Sequence, residues 1–335
     1  MTATPEPIGR FSVIIPSRDE AHNVPRVLAM IAAQTRQPDE VVVADGMSTD
    51  GSRELWAQAR IDGRPVVLVD NPQRIVPTGL NAALAAATGD VVARMDTHAD
   101  YAPDYLERVV GHLEAHPELA GVGGAMDTQG RGAWGKAIAS TLVRSFGLGG
   151  ARHRIGGAAG PIPHVFSGCY RRSALLAAGG WDPRFSANED FEADQRIAGQ
   201  GGLWLLPEAT STWYVRSTPR ALALQMWRYG YFKGLTLVVH PDSLKVRQLA
   251  PPAVVLGLLA ATAVDRRLGA AAALVYLAAA GGLGARAAAA DGASPLRGAA
   301  VPPVVHLSWG AGLLAGYVRF RTSADPAPIG TITSR

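Results

Sequence analysis

The chain has 335 residues, 48% of them apolar and 18% charged, with a formal net charge of +4 and a mean hydropathy of +0.09. That length allows one large domain of about 200–250 residues plus an additional element. The modest charge, with no long Lys/Arg tract, argues against a nucleic-acid binder, and the single cysteine, Cys169, excludes an intramolecular disulfide and a cysteine-based zinc site.

The opening "MTATPEPIGRFSVIIPSRDE" lacks the apolar core of a signal peptide, so the first domain is expected to stay cytosolic. Phe11 to Ile15 is a β-branched run followed by a polar turn and a helical pattern over Val24 to Gln34, which predicts a buried strand leading into a helix. "DEVVVADGMSTDGSRELWAQA" repeats the scheme: a strand over 41–44, a turn over 45–51 and a helix from about residue 52, with Ser48, Thr49 and Asp50 as natural N-cap residues. A third strand, "PVVLVDNP", precedes a helix ending at Gly89, and a fourth, "DVVARMD", runs into "ARMDTHADY". Four strands alternating with helices predict a doubly wound, mostly parallel α/β sheet.

Ligands of such sheets bind beyond the carboxyl ends of the strands, where Ser17–Glu20, Asp45 and Asp96–Asp100 all fall. Asp96, His98 and Asp100 alternate, so an extended chain turns them to one side. They suit either a divalent metal or the polar mouth of a loop.

Residues 127–165, rich in Gly, Ala and Arg, predict an irregular connection crossing the site. His164 to Ser217 reads as strand, helix, turn, acidic helix start and last strand. From Pro219 to His240 an amphipathic helix carries Trp227, Tyr229, Tyr231 and Phe232 beside Arg220, Arg228 and Lys233, a mixture that suits a membrane interface. Three apolar segments follow, Ala250–Val264, Leu268–Ala285 and Gly298–Val318. Only the third reaches the roughly 20 residues of a spanning helix. The first two therefore read as short spans or as a re-entrant or tilted hairpin, with a soluble Ala-rich bundle as the alternative.

Four blocks in order resemble the GT-A glycosyltransferases of family 2, above all the membrane-anchored bacterial enzymes of the succinoglycan-type exopolysaccharide branch. "VIIPSRDEAHNV" is similar to the family's opening strand and turn, and "VVVADGMSTDGS" to its Asp-Gly-Gly-Ser-Thr-Asp loop. "VPTGLNAALAAATGDVVARMDTHADY" resembles the helix leading into the metal motif, and "SGCYRRSALLAAGGWDPRFSANEDFEADQRI" the acceptor-side block. The resemblance covers about residues 11–235. His98 stands where the family usually has the second Asp of Asp-x-Asp, as the succinoglycan-type branch does, and Met47 replaces a glycine. "QMWRYGYFKG" keeps Gln225 and Arg228 of the processive Gln-x-x-Arg-Trp motif but has Tyr229 for the Trp.

The resemblance implies a GT-A catalytic domain over 1–218, an interfacial helix and linker over 219–247, two to three membrane helices over 248–320 and a tail over 321–335. It implies inverting transfer of a sugar from a nucleotide-diphosphate donor, UDP-linked by preference, to a lipid-linked (polyprenyl) or membrane-proximal saccharide at the inner membrane. Asp96, with His98 as a direct or water-mediated partner, would hold Mn²⁺ or Mg²⁺ on the donor diphosphate. Asp45 would contact the uracil imide or the ribose, on a loop shaped by Pro16 and Ser17. Glu20 is either part of that site or structural, and Arg74 and Arg94 pair either with the diphosphate or with carboxylates of the fold. Asp190 is the implied base, with Glu189 holding neighbouring groups. Ser167 and Gly168 would line the acceptor site, Trp181 would stack on a sugar or sit in the core, and Arg228 would reach the diphosphate or bind lipid headgroups. Asp100 is a further ligand or a cap for "PDYLERVV".

Two rival readings remain at this level. A sugar nucleotidyltransferase would carry a Gly/Arg/Lys-rich loop after the first strand, where "PSRDEAHN" is acidic. A membrane scaffold without chemistry would tolerate loss of Asp96 or Asp190, and both are present.

Overall fold

The structure, a computed structural model, describes residues 8–148, 152–155 and 157–322. The expected tail and the first seven residues of the expected leaderless start therefore lie outside the described residues, save Arg321 and Thr322. The chain forms two compact units, residues 8–127 with 157–213, and residues 128–148, 152–155 and 214–322.

In chain order the elements begin with β1 (Phe11–Ser17), α1 (Val24–Ala32), β2 (Glu40–Asp45), α2 (Ser52–Gln58), a small hairpin of β3 (Arg60–Ile61) and β4 (Arg64–Pro65), β5 (Val67–Asp70), α3 (Val76–Ala86) and β6 (Val91–Arg94). Next come β7 (Ala99–Tyr101), α4 (Tyr105–Ala115), β8 (Gly121–Gln129), α5 (Gly132–Leu142), α6 (Ser145–Leu148) and α7 (Arg152–Ile155). β9 (Gly160–Pro161), β10 (Cys169–Arg171), α8 (Arg172–Ala177), α9 (Glu189–Ile197) and β11 (Leu203–Tyr214) complete the sheet-forming part. The described strands form a nine-stranded sheet in the order β5-β2-β1-β6-β10-β8-β11-β7, with β9 on β11.

The four strands read from the alternation are parallel, with Val13 opposite both Val41 and Ala93. Beyond β6 the sheet is mixed: β10 runs antiparallel to β6 and β8, and β7 and β9 antiparallel to β11. Successive residues of β1 serve opposite faces, as a period of two requires. Val13 and Ile15 join Val27, Trp56 and Leu106 of α1, α2 and α4 in one core. Ile14 joins Leu80, Leu175 and Ile197 of α3, α8 and α9 in the other. Parallel strands sandwiched this way bring the carboxyl ends of β1, β2, β5 and β6 to one edge.

Several local expectations change. The N-cap position of α2 is held by Gly51 at φ 93°, and Asp50 Oδ1, one residue earlier, accepts the amide of Ser52, the first helical residue, at 3.0 Å. Ser48 Oγ and Asp50 Oδ2 accept the amides of Asp19 and Ala21, each at 2.9 Å, lacing the first two loops together. Asp100 is a β7 residue paired with Arg26, and the N-cap position of α4 is held by Asp104. The connection expected to be irregular holds α5, whose Gly/Ala composition hid an eleven-residue helix.

The second unit contains α5–α7 with α10 (Pro219–Val239), α11 (Ala250–Val264), α12 (Arg266–Ala290) and α13 (Pro295–Thr322). The stretch Val246–Val264, α12 and α13 are all long and apolar enough to cross a membrane, by length and composition. α12 reaches 25 residues because Asp265 caps it, its Oδ1 accepting the amides of Arg267 and Leu268, and because the helix runs through Arg286. α11 and α12 leave most of their apolar surface exposed, whereas nearly half of the most apolar stretch of α13 is buried.

α10 is not the amphipathic helix the sequence suggested, because its apolar residues are not confined to one face and Phe232, Lys233, Leu235 and Thr236 are all buried. It lies against α13 with backbones almost touching. A Cβ on Gly230 would stand 2.1 Å from the Trp309 carbonyl oxygen, and one on Gly316 would stand 2.1 Å from that of Tyr231. Gly316→Val should therefore cost about 3 kcal/mol or more and lower the melting temperature of the detergent-solubilised protein. Gly257→Val on α11, where a Cβ meets nothing within 4 Å, should leave it unchanged. Equal melting of both variants with wild type would refute the interlock.

Candidate active site

The end of β1 is fixed by Trp56, whose Nε1 donates to Ser17 Oγ at 3.0 Å. The Glu20 amide donates to Ser52 Oγ at 2.7 Å, and the Glu20 carboxylate receives Asn23 on one oxygen and faces His98 Nε2 at 2.9 Å with the other. At the end of β2, Asp45 is fully buried. Its Oδ2 accepts the Ser48 amide and Arg53 Nη1, both at 3.1 Å, while its Oδ1 has no hydrogen-bond partner among the described residues. A buried carboxylate oxygen without a donor is costly, so this atom is poised for a donor from outside the chain.

At the end of β6 the backbone of Arg94 donates to the Gly168 carbonyl at 3.0 Å. Its side chain, 7% exposed, meets three carboxylates. Nε lies 2.9 Å from Asp96 Oδ1 and Nη2 3.3 Å from Asp96 Oδ2, so Asp96 is gripped by both oxygens. Nη1 pairs with Asp190 Oδ1, and both terminal nitrogens stand 3.5 Å from Glu189 Oε1. Burial alone would lower the pKa of Arg94, but Asp190, Asp96 and Glu189 outweigh it and hold the guanidinium firmly charged. Burial pushes the Glu189 carboxyl up, reinforced by Asp190 and opposed by Arg94, to about 7.

Glu189 and Asp190 open α9 because Asn188 turns the chain with a left-handed φ of 62°. Trp181 is 1% exposed and bound at both backbone groups by the Asn81 amide, at 2.8 and 2.7 Å. Its indole Nε1 donates to Asp190 Oδ1 at 3.1 Å. It is thus a core residue that orients Asp190 and has no free face for a sugar. Ser167, 1% exposed, and Gly168 also present nothing outward. Ser167 Oγ accepts the Tyr101 hydroxyl at 2.8 Å, and that hydroxyl accepts the Asp96 amide at 3.0 Å. A Cβ on Gly168 would meet the Tyr170 ring at 2.3 Å, so this glycine admits Tyr170, which in turn donates to buried Asp194 Oδ1 at 2.8 Å.

The structure thus gathers Arg94, Asp96, Glu189, Asp190 and Trp181, and separately pairs Glu20 with His98. Arg94, left open between diphosphate and fold carboxylates, belongs to the carboxylates. Arg74 stands in the loop between β5 and α3 with a left-handed φ of 61°. Arg228 lies on α10, in the second unit. Tyr101, Asn81 and Tyr170 were missed as positioning residues. The only sequence signal was Tyr101 closing "ARMDTHADY", since a hydroxyl that braces an amide has no spacing rule.

His98 is 67% exposed and stands on Glu20. Among the described residues no three His, Cys, Asp or Glu side chains group to hold a metal ion. Asp96 nevertheless fits a hard divalent cation. Its oxygens keep lone pairs beyond those facing Arg94, and three carboxylates around one guanidinium leave negative charge uncompensated even while Glu189 holds its proton. The remaining ligands would be oxygens of a bound diphosphate and water.

The family model described as Glycosyl transferase family 2 matches residues 12–176. The chain is 32% identical over 246 residues, 72% of its own length and 74% of the relative's, to the succinoglycan biosynthesis protein ExoA of Rhizobium meliloti (strain 1021). It is 24% identical over 242 residues, 68% of this chain and 74% of the relative, to the dolichyl N-acetyl-alpha-D-glucosaminyl phosphate 3-beta-D-2,3-diacetamido-2,3-dideoxy-beta-D-glucuronosyltransferase of Methanococcus voltae. Among solved structures, the mannosyltransferase PcManGT of Pyrobaculum calidifontis, in complex with GDP-Man and Mn2+, superposes with a TM-score of 0.60 over 97% of this chain and 91% of that one, at 23% identity. That likeness is one of fold, and the fold is the GT-A arrangement.

The raised Glu189 pKa has a definite sign. The folded state holds this proton more tightly than the unfolded chain, whose ordinary value is 4.5. The resulting stability is present below pH 4.5 and is lost as pH rises through 7. Relative to wild type, Glu189→Gln should therefore gain stability between pH 4.5 and 8, by about 3 kcal/mol at most. Thermal melts across that range without divalent cations check this, and a constant gap between the two proteins would refute it.

Proposed function

The chain belongs to glycosyl transferase family 2, and from that premise we propose that it transfers a sugar, with inversion, from a nucleotide-diphosphate donor to a lipid-linked saccharide. The observation that carries this reading is the sharing of Arg94 between Asp96 and the Glu189–Asp190 pair. It sets a donor-side carboxylate and the acceptor-side carboxylates around one cation.

On the donor side, the open Oδ1 of Asp45 accepts the imide N–H of a uracil or a ribose hydroxyl, on the platform made by Pro16 and Ser17. Arg74 stands by the diphosphate. When bound, Mn²⁺ or Mg²⁺ supplies stabilisation of the charge that grows on the departing diphosphate, with Asp96 holding it and His98 as the second ligand. On the acceptor side, the hydroxyl oxygen attacks the anomeric carbon opposite the diphosphate, which leaves with the bonding electron pair. Asp190 takes the hydroxyl proton. Arg94 and Trp181 both grip Oδ1 of Asp190, which leaves Oδ2 for that proton. Glu189 shares Arg94 and keeps Asp190 oriented. Tyr101, through Ser167 and the Asp96 amide, fixes the strand end on which the donor side is built.

The GDP-Man and Mn2+ in PcManGT support a nucleotide sugar with a divalent metal. The dolichyl phosphate in the name of the Methanococcus voltae relative supports a polyprenyl-linked acceptor. The long apolar helices support anchoring in a membrane; the inner membrane and a cytoplasmic face for the catalytic unit belong to the same proposal.

The test is thermal stabilisation of the detergent-purified protein by UDP, GDP and CMP, each with and without Mn²⁺. UDP with Mn²⁺ should stabilise by about 2.7 kcal/mol at a hundredfold excess over Kd, and Asp96→Ala or Asp45→Ala should abolish most of it. Asp190→Asn should keep that stabilisation while transfer falls by about 10²–10⁴-fold. Absence of any nucleotide effect under every metal condition would overturn the donor assignment.

A further inference from the structure

The arrangement around Arg94 says more than that a base and a metal ligand lie near each other. One guanidinium is gripped by Asp96 through both oxygens, at 2.9 and 3.3 Å, and by Asp190 through Nη1. Glu189 Oε1 stands further off, 3.5 Å from both terminal nitrogens. The five N–H groups of a planar guanidinium lie in a fixed fork, and here they close on Asp96 and Asp190 and stand further from Glu189. Glu189 is the partner left at long range. The Arg94 backbone is held in the strand and on Gly168, so the residue can redistribute its partners only at the side-chain tip.

We propose that Arg94 is a built-in counter-ion that holds Asp96 while no cation is bound, and thereby couples the donor side of the site to the acceptor-side carboxylates. This rests on the reading of Asp96 as the metal-binding carboxylate given above. The charge balance points the same way. Three carboxylates and one guanidinium leave an excess of negative charge even while Glu189 holds its proton, in a place where Arg94 is 6% exposed. A divalent cation is the charge that closes this deficit, and Asp96, at 21% side-chain exposure, is the most accessible of the three carboxylates.

Two consequences follow. A bare cation has to compete with a bidentate guanidinium for Asp96, whereas a cation arriving with a nucleoside diphosphate brings further oxygen ligands. Metal binding is therefore expected to be weak alone and strong with nucleotide. Once Asp96 is taken, Nε and Nη2 of Arg94 lose their partner, and Glu189, already 3.5 Å from Nη1 and Nη2, is the carboxylate at hand to close on the terminal nitrogens. Donor loading would then tighten the pair that receives the acceptor proton, so acceptor activation follows donor binding. A purely structural Arg94 would have neither effect, since its removal would change stability but not the affinity of Asp96 for metal.

The test is an electron paramagnetic resonance titration of free Mn²⁺ with the full-length, detergent-purified chain, with and without UDP. Wild type should bind Mn²⁺ alone at least about tenfold more weakly than with UDP. Arg94→Gln should bind Mn²⁺ alone about tenfold more tightly than wild type, because a competing positive charge is gone, although its transfer activity falls. Arg94→Lys, which keeps the charge but cannot grip two oxygens, should fall between them and carries the test if Arg94→Gln does not fold. Adding Asp96→Asn to Arg94→Gln should erase the gain. If folded Arg94→Gln and Arg94→Lys bind Mn²⁺ alone no more tightly than wild type, while UDP still promotes Mn²⁺ binding to wild type, the coupling is wrong and the donor site stands. If wild type binds no Mn²⁺ even with UDP, the metal-dependent donor reading falls, and the coupling with it.

Discussion

An arginine taken out of water is tolerable only when its charge is met, and Arg94 is met by Asp96, Glu189 and Asp190. Removing one side of such a buried group typically costs 3–5 kcal/mol, because the partner is left charged and unpaired. Here the partners are three, so the guanidinium fixes where β6 ends, where α9 begins and how far apart the two may drift. The surrounding residues serve the same end. Trp181 is pinned by Asn81 and aims its indole at Asp190, and Tyr101 braces the Asp96 amide against Ser167. The chemistry of the site is thus carried by carboxylates, but their arrangement is carried by one cation.

The legible part of this molecule was what local periodicity encodes. Strand, polar turn and helix repeat visibly from Phe11 to Arg94, and parallel pairing follows from the right-handed crossover between successive strands. The carboxylates at the strand ends followed from the same rule. Less legible was anything that depends on who stands opposite. β7, β9 and β10 have only two or three residues each, too few for an alternation to register. α5, in a Gly/Ala-rich segment, has no apolar stripe strong enough to announce a helix. Trp181 reads equally as a stacking surface or a core residue until Asn81, a hundred residues away in sequence, is seen to hold its backbone. Arg94 is the sharpest case. Its sequence position beside Asp96 left a diphosphate and a carboxylate of the fold equally open as partners, and its depth in the sheet decides for the carboxylates.

The second unit shows the opposite economy. Its close packing is carried by residues with no side chain at all. Gly230 on α10 meets the backbone of Trp309 and Leu313 on α13, and Gly234 that of Gly316 and Tyr317. At Gly312 and Gly316 the Trp227 and Tyr231 carbonyl oxygens fill the space where a Cβ would stand. Such approach gains dispersion contacts along two backbones, and it places aromatic side chains at the flanks, where Tyr231 packs edge-on against Phe320 at 5.0 Å. α10 was read from its aromatic and cationic residues as a helix lying on a surface. Its glycines, spaced four apart, were the better signal, since they mark a helix that is meant to meet another.

Backbone strain marks the site independently of its side chains. Asp62 takes a left-handed conformation beside Gly63 in the β3–β4 turn, where hairpins ordinarily demand it. The other non-glycine residues with positive φ among the described ones are Asp19, Met47, Arg74, Ser167 and Asn188. They stand in the loops after β1, β2 and β5 and just before β10 and α9. Each such conformation costs about 1–2 kcal/mol and persists only where the surroundings over-determine it. The Ser48, Asp50 and Ser52 side chains that lace the first two loops supply that over-determination at Asp19 and Met47, and Tyr101 and Tyr105 supply it at Ser167. A fold selected for stability alone would put glycine at these positions. Side chains there mean that these loops are held in a shape the chain would not choose unaided, and Asp45, whose buried Oδ1 lacks a partner among the described residues, ends the strand that leads into one of them.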